Sequence, residues 1–327
     1  MEAVMHHDFQ PDHYHTTLGS HDPVLSIKSG DSVSTTTVDA GGKDKDGNQA
    51  TEGGNPQTGT FYVEGAKPGD TLAVRWDHLM PNRGWGHTSA RIAPNVLDPG
   101  YTPKFDDNTL RLIWTIDFDN NTASPAEVCS DRGQTSLGDG KPVDGLLANL
   151  KLPLNPHSGC FGVAPPRGQA ISTATSSSHG GNMDYNRFVQ GVTMYFPVFV
   201  EGALFHVGDG HALQGDGEIV GTGIEIPFDV TFSVEVLSGK TIQWPRAESD
   251  THIMTAGNAR PLDQCVEHAS TEMIRFLEQD YGLTTREAHV LMGEAVEYDM
   301  GNMFDPAYTM ICKMLKQVLE QMGAKRR

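Results

Sequence analysis

Between Ser178 and Glu225, almost every acidic or imidazole side chain stands beside a glycine or two residues from one. The stretch reads Ser-His-Gly-Gly-Asn-Met-Asp, then an apolar run, then Gly-Asp-Gly-His-Ala-Leu-Gln-Gly-Asp-Gly-Glu, and closes on Ile-Glu-Ile. Glycine lets a backbone turn sharply and approach a bound group closely. A solvated loop has no need of such spacing, whereas a polar site does. His179, Asp184, Asp209, His211, Asp216, Glu218 and Glu225 are the candidate ligands or proton-transfer groups.

The rest of the chain agrees with a turn-rich fold. It has 36 glycines and 19 prolines in 327 residues, which favours short strands joined by tight turns over a helical bundle. Leu72, Val74 and Trp76 alternate with Ala73, Arg75 and Asp77, and Val230 to Val236 repeats the pattern. Leu110–Phe118 and Val192–Val200 are apolar runs of strand length. Pro197 would remove a ladder donor, so the second is expected at a sheet edge or a bulge. Past residue 260 the spacing turns helical, at Leu262, Val266, Ala269, Met273, Phe276 and Leu277. Thr284 and Glu287 form a capping box for a helix through about Tyr298, and Pro306 is expected to open another ending near Met322. The expected fold is mainly β with C-terminal helices (α+β), its body a β-sandwich or jelly roll. Residues 1–260 would form that body and carry the site, with a helical segment, 261–327, packed on it as one compact unit.

Charge narrows the function. The net charge is −18, from 24 basic and 42 acidic residues, so neither nucleic acid nor an anionic membrane is expected as partner. A neutral small molecule or a cation suits the chain better. Four cysteines without a Cys-x-x-Cys pair predict a reducing compartment. With no basic-then-apolar leader and no run of about 20 apolar residues, a soluble cytoplasmic protein is expected.

Asp209 and His211 are two apart, so on a strand both side chains meet one face. Asp216 and Glu218 would do the same in an extended segment, and the Gly180-Gly181 bend could bring His179 to Asp184. Nitrogen and oxygen donors without thiolate suit zinc or another divalent ion. Asp39, before Gly41-Gly42, either joins this set or ends a strand. Asp44 to Asn48 reads as a solvated turn, because the last position of a calcium loop would be Asn55. His157-Ser-Gly-Cys160 raises a thiol nucleophile as an alternative. The histidines at 6, 7, 13, 15 and 21 read as a loosely packed surface segment.

These residues resemble the acetamidase/formamidase family. The resemblance rests on His179-Gly-Gly-Asn-Met-Asp184, Phe196-Pro-Val-Phe-Val-Glu-Gly-Ala-Leu204, Gly208-Asp-Gly-His211, Gln214-Gly-Asp-Gly-Glu218 and Gly221-Thr-Gly-Ile-Glu225. Upstream, Pro56-Gln-Thr-Gly59, Val63-Glu-Gly-Ala66 and Pro68-Gly-Asp-Thr-Leu72 are also similar, and so is Phe161-Gly-Val-Ala-Pro165. Thr60 departs from an expected proline, Gly223 from a common alanine, and His157-Ser158 with Cys160 from the general pattern. The resemblance implies a β-rich, metal-associated amidase releasing ammonia from short aliphatic amides such as formamide or acetamide. On that reading His179, Asp209, His211 and Asp39 would be the metal ligands, and Asp184 or Glu225 the general base. Asn182 would bind the substrate amide or the oxyanion. Asp216 and Glu218 would support the ligands or hold a second ion such as calcium. A homo-oligomer, first a dimer, is expected. Rival readings are a metal-bound jelly-roll oxygenase or isomerase, a thiol amidase using Cys160, and a protein that binds a cation or sugar without chemistry.

Overall fold

The computed structural model describes residues 4–104 and 108–327. Its principal strands are β1 (His6–Asp8), β2 (Leu25–Lys28), β3 (Ser32–Thr36), β4 (Gln57–Glu64), β5 (Thr71–Pro81) and β6 (Trp85–Ser89). They continue with β7 (Arg111–Asp117), β8 (Thr122–Cys129), β9 (His157–Gly162), β10 (Gly180–Asn182), β11 (Thr193–Pro197) and β12 (Phe205–His211). The last are β13 (Phe228–Leu237), β14 (Arg246–Glu248), β15 (His252–Ala259), β16 (Glu297–Asn302) and β17 (Tyr308–Leu315). Among the described residues, nine strands form one sheet in the order β1-β3-β13-β5-β11-β14-β15-β17-β16. A six-stranded sheet runs from Ser176–Ser177 through β10-β9-β12-β4-β2, and β6, β7 and β8 form a third.

The alternating segments do what their period dictates. Leu72, Val74 and Trp76 are fully buried, while Arg75 and Asp77 are exposed. Trp76 meets Phe161 edge-on at 5.0 Å, and Phe232 meets both Phe61 and Phe205 at 5.1 Å. Trp76 and Phe232 belong to the nine-stranded sheet, and Phe61, Phe161 and Phe205 to the six-stranded one. The core is therefore aromatic packing between two sheets, as in a sandwich.

Three local expectations are corrected. β11 is central, between β5 and β14, although Pro197 ends it. Its pairing to β14 stops at Tyr195, while Val198 N–H donates to Asp70 on the β5 side. Successive N–H groups alternate in direction, so the donor missing at Pro197 points past the end of β14 and costs the ladder nothing. The capped helix is α2 (Thr285–Ala295), stopping short of Tyr298, which lies in β16. The helix expected over 306–322 is instead β17 followed by the short α3 (Lys316–Gln321). Tyr308–Leu315 is an apolar run buried on both faces, where periodicity cannot separate helix from buried strand. The segment after residue 260 thus adds two strands to the main sheet besides its helices.

α1 (Leu262–Tyr281) lies across β15 and β17 through Ala269, Met273, Phe276 and Leu277. A Cβ at Gly257 would overlap the Cys265 carbonyl, so glycine there admits the helix. Beneath it, fully buried Arg246 donates from Nε to Glu272 at 2.7 Å and from Nη1 to Asp280 at 3.2 Å. The N-terminal histidines are also better seated than expected. His15 and His21 stack at 3.9 Å and meet buried His206 edge-on, because His15 exchanges backbone bonds with Gln57. No helix among the described residues is long and apolar enough to cross a membrane.

Candidate active site

β9 and β12 pair antiparallel, with Ser158 opposite Gly210 and Cys160 opposite Gly208. A Cβ built on Gly159 would overlap Asp184 Oδ1 and stand 2.6 Å from Asp209 Oδ2 and 2.9 Å from His211 Cε1. Three polar side chains from two segments therefore converge where one strand has no side chain of its own. Asp184, Asp209 and Glu218 have φ of 47°, 57° and 48°, in the left-handed region. Such conformations persist only where the surroundings impose them, and they concentrate at functional sites.

His211 is the hub. Its Nε2 lies 3.0 Å from Glu225 Oε1 and 3.5 Å from Asp209 Oδ1, with all three side chains buried. Its Nδ1 lies 2.8 Å from Gln214 Oε1. Gln214 Nε2 donates to the Asp184 carbonyl at 2.6 Å, which fixes the orientation of the amide. Oε1 is then the acceptor, so His211 carries hydrogen on Nδ1, and Nε2 faces the carboxylates, donating to them when the ring is charged and offering its lone pair when the ring is neutral. A Cβ at Gly223 would overlap the His211 ring, so the departure from alanine there makes room for the imidazole.

A second group of acids shares Asp184 and His211 with this hub. Asn302 Nδ2 lies 2.6 Å from Asp184 Oδ2, 2.9 Å from Glu218 Oε2 and 2.8 Å from Asp305 Oδ2, three oxygens sharing its two hydrogens. Its Oδ1 accepts from the Phe304 and Asp305 N–H groups. Asn182 donates to Asp305 and accepts from Asn55 at 2.7 Å. Sequence reading missed Asn302 and Asp305 because they follow a segment taken as helix. The available signal was Asn302-x-x-Asp305-Pro306, an Asx turn ahead of a strand.

Burial sets the electrostatics. Desolvation and the neighbouring Asp209 and Asp305 push Asp184 well above the usual carboxylate range. Desolvation, with Asp184 and Asp305 nearby, does the same to Glu218. Burial lifts Glu225 to about 7 against the opposing pull of His211. In His211, burial works against the charged form, but Glu225 and Asp209 outweigh it and hold the ring well above its ordinary value. Asp209 is held low because His211 outweighs its desolvation. His87, also buried and unforeseen, is kept neutral by burial and then by Arg111.

Among the described residues, Asp184, His211 and Glu218 bring donor atoms within 4.8 Å of one another, as do Asp209, His211 and Glu225. Asp184 Oδ1, His211 Nε2 and Glu225 Oε2 are buried without a hydrogen-bond partner. Buried polar atoms are rarely left so, and this set fits a divalent cation.

Other expected residues lie elsewhere. His179 belongs to neither group; its buried Nε2 has no partner, and burial lowers it to about 4. Asp39 Oδ2 is paired with buried Arg83 at 2.7 Å, and its Oδ1 accepts from Gly41 and Lys43 N–H groups. A carboxylate so engaged serves its own turn and Arg83. Asp216 is exposed and accepts from Asn186 at 2.8 Å, so it does not meet Glu218. Cys160 points away from Gly159 toward the Thr173 carbonyl, and burial drives its thiol well above its usual range. A nucleophilic thiol needs the opposite environment.

Comparison with known proteins agrees with this geometry. Residues 167–312 match the model of the Acetamidase/Formamidase family. The chain is 30% identical over 220 residues to the acetamidase of Mycolicibacterium smegmatis, an alignment covering 56% of this chain and 53% of that one. It spans about half the length of the curated relatives it matches. Its fold superposes at a TM-score of 0.78 on a predicted acetamidase/formamidase from Thermoanaerobacter tengcongensis, 28% identical, covering 99% of this chain and 100% of that one. Against the acetamidase of Yersinia enterocolitica the TM-score is 0.77, with 29% identity over 98% of this chain and 94% of that one. With its glycine-spaced acids and imidazoles gathered at one buried hub, the chain is similar in sequence and in fold to the acetamidase/formamidase family.

Proposed function

We propose that the protein hydrolyses short aliphatic amides such as formamide and acetamide, with water, to the carboxylic acid and ammonia. The observation that carries this reading is the meeting of His211 Nε2 with Glu225, a carboxylate held near neutrality, beside the orphaned oxygen of Asp184. Amide resonance makes the carbonyl resistant to neutral water, so a site must both polarise it and remove a proton.

Asp184, His211 and Glu218 would hold a divalent ion, and imidazole with carboxylate suits zinc. Such an ion, when bound, supplies positive charge that polarises the carbonyl and acidifies water. Glu225 is the proposed base, since its buried carboxylate stands beside His211 and can accept a proton from water and return it to the departing ammonia. Gln214 holds His211 in one tautomer. Asn182 and Asn302 position the acids; both amides are engaged within the protein, which turns Asn182 from oxyanion donor to support.

Four buried, unpaired cysteines support a reducing compartment such as the cytoplasm. Leu146, 90% exposed, and Leu147 are apolar surface that a second copy would cover in a homodimer. The direct test is ammonia release from formamide and acetamide, its loss on chelation and its return with zinc. Full activity in metal-free protein would remove the ion from the reaction, and no turnover of any amide would end the hydrolase reading.

A further inference from the structure

The hairpin of β7 and β8 carries unlike surfaces at its two ends. At one end, where Ser89 pairs with Arg111, lies a groove of about 610 Å³. Its wall is largely apolar, including Ile92, Pro94, Leu110 and Phe304, and Ile92 and Phe304 are 41% and 42% exposed. Arg91 and Arg132 add positive charge to the wall, and no described lining residue is acidic. In a chain of net charge −18, that is a local reversal of sign.

At the other end, the turn from β7 to β8 reads Asp117-Phe-Asp-Asn-Asn-Thr122. Phe118 is 45% exposed, and the aspartates on either side of it are exposed too. Asp117 accepts from the Asn120 N–H at 3.0 Å and from Asn120 Nδ2 at 2.8 Å. The turn is therefore fixed before any partner arrives, which lowers the entropic cost of docking.

An aromatic ring between two carboxylates complements an apolar groove with cations in its wall. It cannot reach the groove of its own chain, because Arg111 and Asp117 stand at opposite ends of an extended strand, about 20 Å apart. A second copy supplies it. Two such hairpins laid antiparallel about a two-fold axis put each Phe118 at the other's groove, so both contacts form together, as an isologous interface requires. The span fits an interface of standard size, about 800 Å² per partner. Leu146 and Leu147 lie in the segment between Lys141–Pro142, which pairs with β8 at Val128 and Glu127, and Leu152–Pro153, which pairs with it at Ala123 and Thr122. They flank the hairpin between its two ends, on the course of the axis.

We propose that this hairpin is the homodimer interface, each Phe118 seated in the partner's groove with Asp119 against Arg132. This rests on the homodimer reading above and assigns its surface. Sedimentation of the whole chain over a dilution series tests it. The wild type should be a dimer, and Phe118→Ala should raise its dissociation constant about thirtyfold or more, as for an aromatic hot spot. Asp119→Arg and Arg132→Asp should each weaken the dimer severalfold. Both reversals in one chain should recover most of that loss, because opposite charges meet again across the axis. All three positions are exposed, so circular dichroism should show each variant folded. A dimer indifferent to these variants, or a double reversal no tighter than the single ones, overturns this surface and leaves the homodimer standing. A wild-type monomer at every concentration overturns both. A trimer dissociated by the same variants overturns the two-fold arrangement.

Discussion

Gln214 accepts from His211 Nδ1 at 2.8 Å while its own amide nitrogen donates to the Asp184 carbonyl at 2.6 Å. One side chain thereby sets the tautomer of the hub imidazole and ties it to the loop that carries Asp184. Replacing Gln214 by Leu should leave the fold intact and lower kcat by about 10- to 100-fold, the usual cost of losing a partner that orients a ligand. Zinc affinity should fall with it. Unchanged zinc affinity and kcat would show that the tautomer is held by something else.

Acid–base linkage gives a signed expectation for metal-free protein. Burial raises Glu225 from an ordinary 4.5 to about 7, so the folded chain favours the protonated form. Between those values the folded state binds more protons than the unfolded state, and stability falls as pH rises. His211, raised above its ordinary 6.5, adds a loss in the same direction at higher pH. His87, His157, His179 and His206, held neutral by burial, act in the opposite direction, so the Glu225 contribution is read as a difference between proteins. In chelator, stability of the wild type relative to Glu225→Gln should fall from pH 5 to pH 7.5 by an amount corresponding to a few kcal/mol. A difference that does not change with pH would contradict the assignment.

Gly159→Ala places a methyl group among Asp184, Asp209 and His211, with 2.6 Å to Asp209 Oδ2. Activity and metal binding should fall by about a hundredfold or more, as expected when reacting groups shift by about an ångström. Gly293 in α2 is the matched control, because nothing lies within 4 Å of its added Cβ. Gly293→Ala should stabilise by about 1 kcal/mol, read as a higher midpoint of urea unfolding.

Glu272→Ala leaves Arg246 buried with its closest charge partner removed. A loss of about 3–5 kcal/mol is expected from breaking a buried pair, measured by chemical denaturation. Asp280 also bonds Arg246, so a loss near the lower bound would show that it compensates.

Cys160→Ala separates hydrolysis at the hub from a thiol mechanism. With the thiol buried and driven well above its usual range, kcat/KM should stay within about threefold of wild type. Abolished turnover in a folded variant would reinstate the thiol.

The sequence by itself determined the strands that alternate with period two, the capping box of α2 and the neighbourhood of the site. Asp209 and His211 share a face because residues two apart on a strand must do so, and that relation is local. Glu225, Asp184 and Glu218 could be named as candidates because glycine spacing marks where a backbone turns. Only the tertiary structure decided membership. It brought Asn302 to Asp184 across 118 positions, gave Asp39 to Arg83, left Asp216 in solvent and set His179 apart. It also placed Tyr308–Leu315 inside the main sheet. The physical reason is that side-chain periodicity encodes which way a residue faces. Which distant segment it then meets follows from sheet pairing and from where buried charges find partners, and neither is a local property of the chain.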